Sequence, residues 1–119
     1  MKLAILPFAI ALLFSGGPAM AAERRCGWLA NPSPANWWLR DRDGQWDLSV
    51  QGQEPVAGLD RLPDMTTMGW LETNGPHGYG CACLMLDTAA GHRVVRILSG
   101  EPLPTGRCSA DRTLPPLPG

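Results

Sequence analysis

Cys81 and Cys83, one alanine apart in the run NGPHGYGCAC, are the residues whose type and spacing most invite a chemical reading. As thiolates such a pair can bind Cu(I), helped by Met65, Met68, Met85 or His77, or it can shuttle disulfides. It can also supply one half of each of two structural disulfides, with Cys26 and Cys108 as the partners. A zinc site needs four ligands at familiar spacings, and neither Cys26 nor Cys108 belongs to a C-x2-C knuckle.

Backbone geometry narrows these choices. On an extended strand, residues two apart point the same way with Cβ atoms roughly 6 to 7 Å apart, twice one rise. A disulfide needs about 3.5 to 4.5 Å, so Cys81 should not bond to Cys83. Two connectivities stay open: Cys26 to Cys81 with Cys83 to Cys108, or Cys26 to Cys83 with Cys81 to Cys108. Loop-closure entropy gives roughly 3 to 4 kcal/mol for each bridge, and two rival the roughly 5 to 15 kcal/mol stability of a typical domain. Stapling alone is a sufficient reason for four cysteines, so no metal and no cofactor is expected.

The other reactive residue types form weaker patterns. His77 and His92 are the only histidines, and neither lies in a recognisable nucleophile motif. His77, in the glycine-rich loop, is the better candidate; His92 is expected to open a strand in solvent. Asp41, Asp43 and Asp47 in DRDGQWD suggest calcium, but glycine arrives at the fourth position instead of the sixth, and residue 52 is another glycine where the loop needs glutamate. No spacing among the eleven acids singles out a carboxylate pair. The chain is not expected to be an enzyme.

These residues must be positioned by strands. In ANWWLRDRDGQWDLSV an Asp-Gly pair separates two alternating runs, the signature of a two-residue hairpin. Turning at Asp43-Gly44 gathers Trp37, Leu39, Trp46, Leu48 and Val50 on one face, with Arg40, Arg42, Gln45, Asp47 and Ser49 on the other, and sets Arg40 against Asp47. Further strands are expected at 69 to 73, 79 to 87 and 92 to 99, with Thr88 to Gly91 as a turn. The segment between the hairpins, QGQEPVAGLDRLPDMTTMG, is expected to be mainly loop, with at most a helical turn near Pro63 to Met68. The closing prolines, in EPLPTGRCSADRTLPPLPG, are expected to exclude regular helix and to favour extended structure.

Met1 to Ala21 has the pattern of a secretory signal peptide: Lys2, an apolar run too short to span a bilayer, a Ser-Gly-Gly-Pro break and small residues at Ala19 and Ala21. Residues 22 to 112 then form a single β domain and 113 to 119 a proline-rich C-terminal tail. A chain of this size buries only some 60 to 70% of its unfolded surface, so extra support is expected. Nine arginines against eleven acids after Ala21, without long runs of one sign, give no reason to expect nucleic acid or an anionic membrane.

Five tryptophans are many for this length, and most should be core. Trp38 is the exception, because the hairpin puts it with Arg40 and Arg42. There it is either covered by the rest of the sheet or exposed as a contact residue. With His77 and Tyr79 of the glycine loop it makes up the candidate contact surface.

The stretches CGW, NPSPANWWLRDRDGQW, TNGPHGYGCAC and RCSAD resemble a bacterial family of small exported proteins catalogued as a domain of unknown function. The resemblance runs from Cys26 to about Asp111. The family tends to an aromatic where this chain has Pro76-His77, which weakens a metal or catalytic role for His77. It implies export and compactness and supplies no catalytic residues.

The sequence therefore predicts an all-β fold, a small antiparallel sandwich or partly closed barrel of four to six strands with two disulfides, in the periplasm or secreted. Its expected function is non-catalytic binding of an unknown protein or cell-envelope component, as an inhibitor-like module. The alternative is a copper-handling or thiol-redox protein built on the Cys-x-Cys pair.

Overall fold

The computed structural model describes residues 21–116. The expected leader, apart from Ala21, and the last three residues of the expected tail lie outside that range. Six strands form one antiparallel sheet: β1 (Ala21–Ser33), β2 (Asn36–Asp41), β3 (Gly44–Ser49), β4 (Leu71–Asn74), β5 (His77–Ala89) and β6 (Arg93–Leu103). Their order is β3-β2-β1-β5, after which β4 and β6 lie end to end along the far edge of β5. The sheet is not closed, and the two disulfides are present.

The central strand β1 is the element that sequence reasoning missed. Its first half, AAERRC, lacks the alternation that marks a half-buried strand, yet it pairs with β5 from Ala21↔Thr88 to Asn31↔Gly78. Charged residues are tolerated there because each finds a partner: Arg24 reaches Glu101 at 2.7 Å, and Arg25 reaches Glu23 at 3.0 Å and Asp41 at 2.8 Å.

The first hairpin turns one residue earlier than Asp43-Gly44. Asp41 faces Gly44, Leu39 faces Trp46 and Trp38 faces Asp47, so the pairing is shifted by two positions. Asp41 causes the shift: its Oδ1 accepts the Asp43 backbone N–H at 2.9 Å and the Trp46 indole N–H at 3.0 Å, closing the turn over Arg42-Asp43. Gly44 follows at φ 126°, a backbone conformation a side chain would oppose. An even shift preserves faces, so Leu39, Trp46 and Leu48 are buried as expected. Two details change. Arg40 donates to Gln45 at 3.2 Å rather than pairing with Asp47, and an irregularity between Trp37 and Trp38 brings Ser49 into the interior, where its hydroxyl donates to Ala35 O at 2.8 Å.

One sheet face carries the main core: Leu29, Leu39, Trp46, Leu48, Ala82, Leu84, Leu86 and Ile97. The segment between β3 and β4 covers it, with Val56, Leu59, Leu62, Met65 and Trp70 packed inward. That segment is largely irregular, with 3-10 turns at Leu59–Arg61 and Met65–Thr67. It also spans the gap between the sheet edges, since Val56 N–H donates to Leu48 O at 3.0 Å and Ala57 O accepts from Ile97 N–H at 2.8 Å. Gly58 permits this approach: at φ 85°, a Cβ there would fall 2.1 Å from Ile97 O.

The second hairpin turns at Ala90 to His92, two residues later than expected at its start, because Thr88 and Ala89 still pair with Val94 and Arg93. His92 is accordingly a turn residue at φ 58° and does not open the strand. The chain end also departs from the extended expectation: α1 (Thr105–Ser109) is a single helical turn, with Pro104 at its N-cap. Proline is compatible with a helix start, where its missing N–H has no intrahelical partner.

Candidate functional site

The four cysteines gather on the sheet face opposite the main core. Cys26 and Cys83 are direct cross-strand partners, and they are disulfide-bonded. Cys81 lies one row along, beside Trp28, and bonds to Cys108, which α1 lowers onto it. Cys81 and Cys83 thus look in the same direction but bond to opposite ends of the chain. Among the described residues no cysteine is free. Binding Cu(I) through these sulfurs would first require their reduction. The expected helper Met65 is buried in the core on the other face.

Beyond the bridges, the same face continues as a cross-strand row: Trp38 on β2, Ala30 on β1, Tyr79 on β5 and Leu71 on β4. Trp38 and Tyr79 are half-buried and flank Ala30, which is buried between them. Two strand spacings separate the aromatics, about 10 Å. Tyr79 is held edge-on against Trp28, with ring centroids 5.5 Å apart and planes at 82°. Leu71 is 40% exposed and belongs to a strand whose four residues are all exposed. Helix α1 and Leu114 cover Trp28, Cys81 and Cys108, and Trp38 lies outside that apolar cluster.

His77 reaches toward this region but is tied inward. Its Nδ1 lies 2.7 Å from Asn31 Oδ1, while the Asn31 amide donates to Ser33 O and Asn36 O, each at 2.8 Å. This buried asparagine fastens the start of β5 to the β1-β2 turn. The structure therefore brings Trp38 and Tyr79 into one row and makes His77 a fastening beside it.

A second polar assembly, centred on Arg25, was not anticipated. Its guanidinium donates to Asp41 and Asp43 at 2.8 Å and to Glu23 at 3.0 Å, and it lies 4.1 Å from the centroid of the Trp46 ring. His92 stacks on the same indole, with centroids 4.1 Å apart and planes at 17°. Burial opposes the Arg25 charge, yet the bonds to Asp41, Asp43 and Glu23 outweigh it and hold the group more basic than usual. The carboxyl of Glu23 is held below its ordinary range by the Thr88 hydroxyl and then Arg25, and that of Asp43 by Arg25. Arg25 Nε and Nη1 are engaged by the three carboxylates, and the assembly closes the end of the core. A signal was present in the sequence: Asp41 falls on the apolar face of the hairpin, where a carboxylate requires a cation.

Among the described residues neither histidine is hydrogen-bonded to a serine, threonine or cysteine side chain. No described helix is long and apolar enough to cross a membrane. Fold and site together define a small open antiparallel β-sheet clamped by two disulfides on the face that carries its aromatic row. A family model described as protein of unknown function, DUF4087, matches residues 20–115, and the chain belongs to that family. No curated protein matches the chain, and no solved structure does.

Proposed function

We propose that this protein is a non-catalytic binding module, exported to a bacterial periplasm or beyond, that engages a protein or envelope component through the Trp38–Tyr79 face. The observation that carries this reading is the row Trp38, Ala30, Tyr79, Leu71. Half-buried aromatics held by strand pairing present a rigid apolar surface at small entropic cost, which is the composition of interface anchors. The neighbouring bridges stiffen the same face, and disulfides persist in oxidising compartments such as the periplasm.

The test is capture from envelope extract by the immobilised oxidised chain, compared with Trp38→Ala and Met68→Ala. Met68 is 46% exposed and lies in the segment that covers the opposite face, so it controls for general stickiness. The reading expects a specific partner recovered by the natural chain and Met68→Ala, and depleted at least fivefold with Trp38→Ala. Equal recovery by all three would remove Trp38 as the contact.

A further inference from the structure

The two bridges are neighbours. Cys83 and Cys81 stand two residues apart on one face of β5, about 6.6 Å along the strand. All four cysteines line one small hollow of about 70 Å³, together with Leu103 and Leu114. Their exposures differ: Cys81, Cys83 and Cys108 are 1%, 3% and 4% exposed, whereas Cys26 is half-buried. Cys26 borders a cleft of about 340 Å³, and Cys83 borders a smaller one of about 140 Å³ beside Gly100.

We propose that Cys26 is a site of covalent capture by an external thiol, of a small molecule or an oxidoreductase, and that the second bridge locks the capture in place. This goes beyond the contact reading and does not depend on it. An incoming thiolate attacks Cys26 Sγ; the new S–S bond forms as the Cys26–Cys83 bond breaks, and its electron pair leaves on Cys83 Sγ. Left alone, the Cys83 thiolate would attack back and expel the newcomer. It has a competing target in Cys108, which lines the same hollow. Attack there forms Cys83–Cys108, breaks Cys81–Cys108 and leaves the charge on Cys81, which takes a proton from water. One thiolate enters, one leaves, and no oxidant or reductant is consumed. The resolving thiolate of the first step is thereby removed from Cys26. Attack on Cys81 instead would join Cys81 to Cys83, which their strand spacing opposes.

The test uses the full oxidised chain with excess reduced glutathione at about pH 8, where a thiol of ordinary pKa is partly thiolate. Samples are acid-quenched, alkylated and digested without reductant. Fragmentation across Ala82 separates Cys81 from Cys83. Most modified molecules are expected to carry glutathione on Cys26, a Cys83–Cys108 linkage and the alkyl label on Cys81. Glutathione first on Cys108 or Cys81, or a label on Cys83 with Cys81–Cys108 intact, would overturn the proposal. Cys81→Ser provides a second readout without added thiol: a substantial fraction should carry Cys83–Cys108 with Cys26 free. Exclusive Cys26–Cys83 with Cys108 free in that variant also overturns it.

Discussion

The two faces of this sheet are secured by different means. One is covered without any covalent link, with Leu39, Leu48, Leu84, Leu86 and Ile97 fully buried against the segment between β3 and β4. The other is secured by covalent bonds, with both disulfides, Trp28 and a single helical turn over part of it. A face held by packing must be covered along its length, because apolar burial is what stabilises it. A face held by bridges can remain partly bare. The aromatic row therefore occurs on the bridged face.

This contrast can be broken from either side. The largest effect is expected on the packed face: Leu39→Ala should lower stability by about 2 to 5 kcal/mol, measured by urea denaturation, and by a similar amount with reductant present. On the bridged face, the Cys81→Ser, Cys108→Ser double variant opens a link of sequence separation 27 and should lose about 3.5 kcal/mol. That difference should vanish in reductant, since the reference protein then lacks the bridge as well. The differing response to reductant, more than the size of either loss, separates the two mechanisms.

The Arg25 assembly lies on the packed face yet is electrostatic, so it sharpens the comparison. Arg25→Ala leaves the buried Asp41 carboxylate without its cation and should lower stability at neutral pH by about 3 kcal/mol. Its acid limb follows from Glu23 and Asp43, which the folded protein holds below their ordinary values of 4.5 and 3.8. Above those values both groups are ionised folded or unfolded, and their stabilisation is complete. As pH falls past them the unfolded chain takes up protons first, and the contribution is lost down to the lowered folded values. Urea midpoints between pH 6 and pH 2 should show this decline in the natural protein and a shallower one in Arg25→Ala.

The smallest stability effect is expected at the bare row. Trp38→Ala should change the urea midpoint little, by about 1 kcal/mol or less, while reducing partner capture. A loss as large as that of Leu39→Ala would mean that Trp38 serves the core.

Much of this arrangement was legible in the sequence, and the gaps have physical causes. The antiparallel β class, the separation of Cys81 from Cys83 and the apolar set of the first hairpin follow from period-two alternation. The hairpin register departs from the Asp-Gly signal because Asp41 caps the turn from within, a preference that signal does not carry. The choice between disulfide pairings depended on β1, whose Glu23-Arg24-Arg25 start conceals a central strand. Once Cys26 is known to face Cys83 in register, the alternative pairing no longer fits the strand order. Among the contact candidates, Trp38 and Tyr79 are joined only through Ala30 of that same strand, and so no local pattern could have linked them.

Hydroxyl-radical footprinting of the captured complex tests the bare-face account most directly. Trp38, Tyr79 and Leu71 should be modified readily in the free chain and protected at least severalfold in the complex, while Met68 is unchanged. Protection at Met68 with Trp38 and Tyr79 as reactive as before would contradict it.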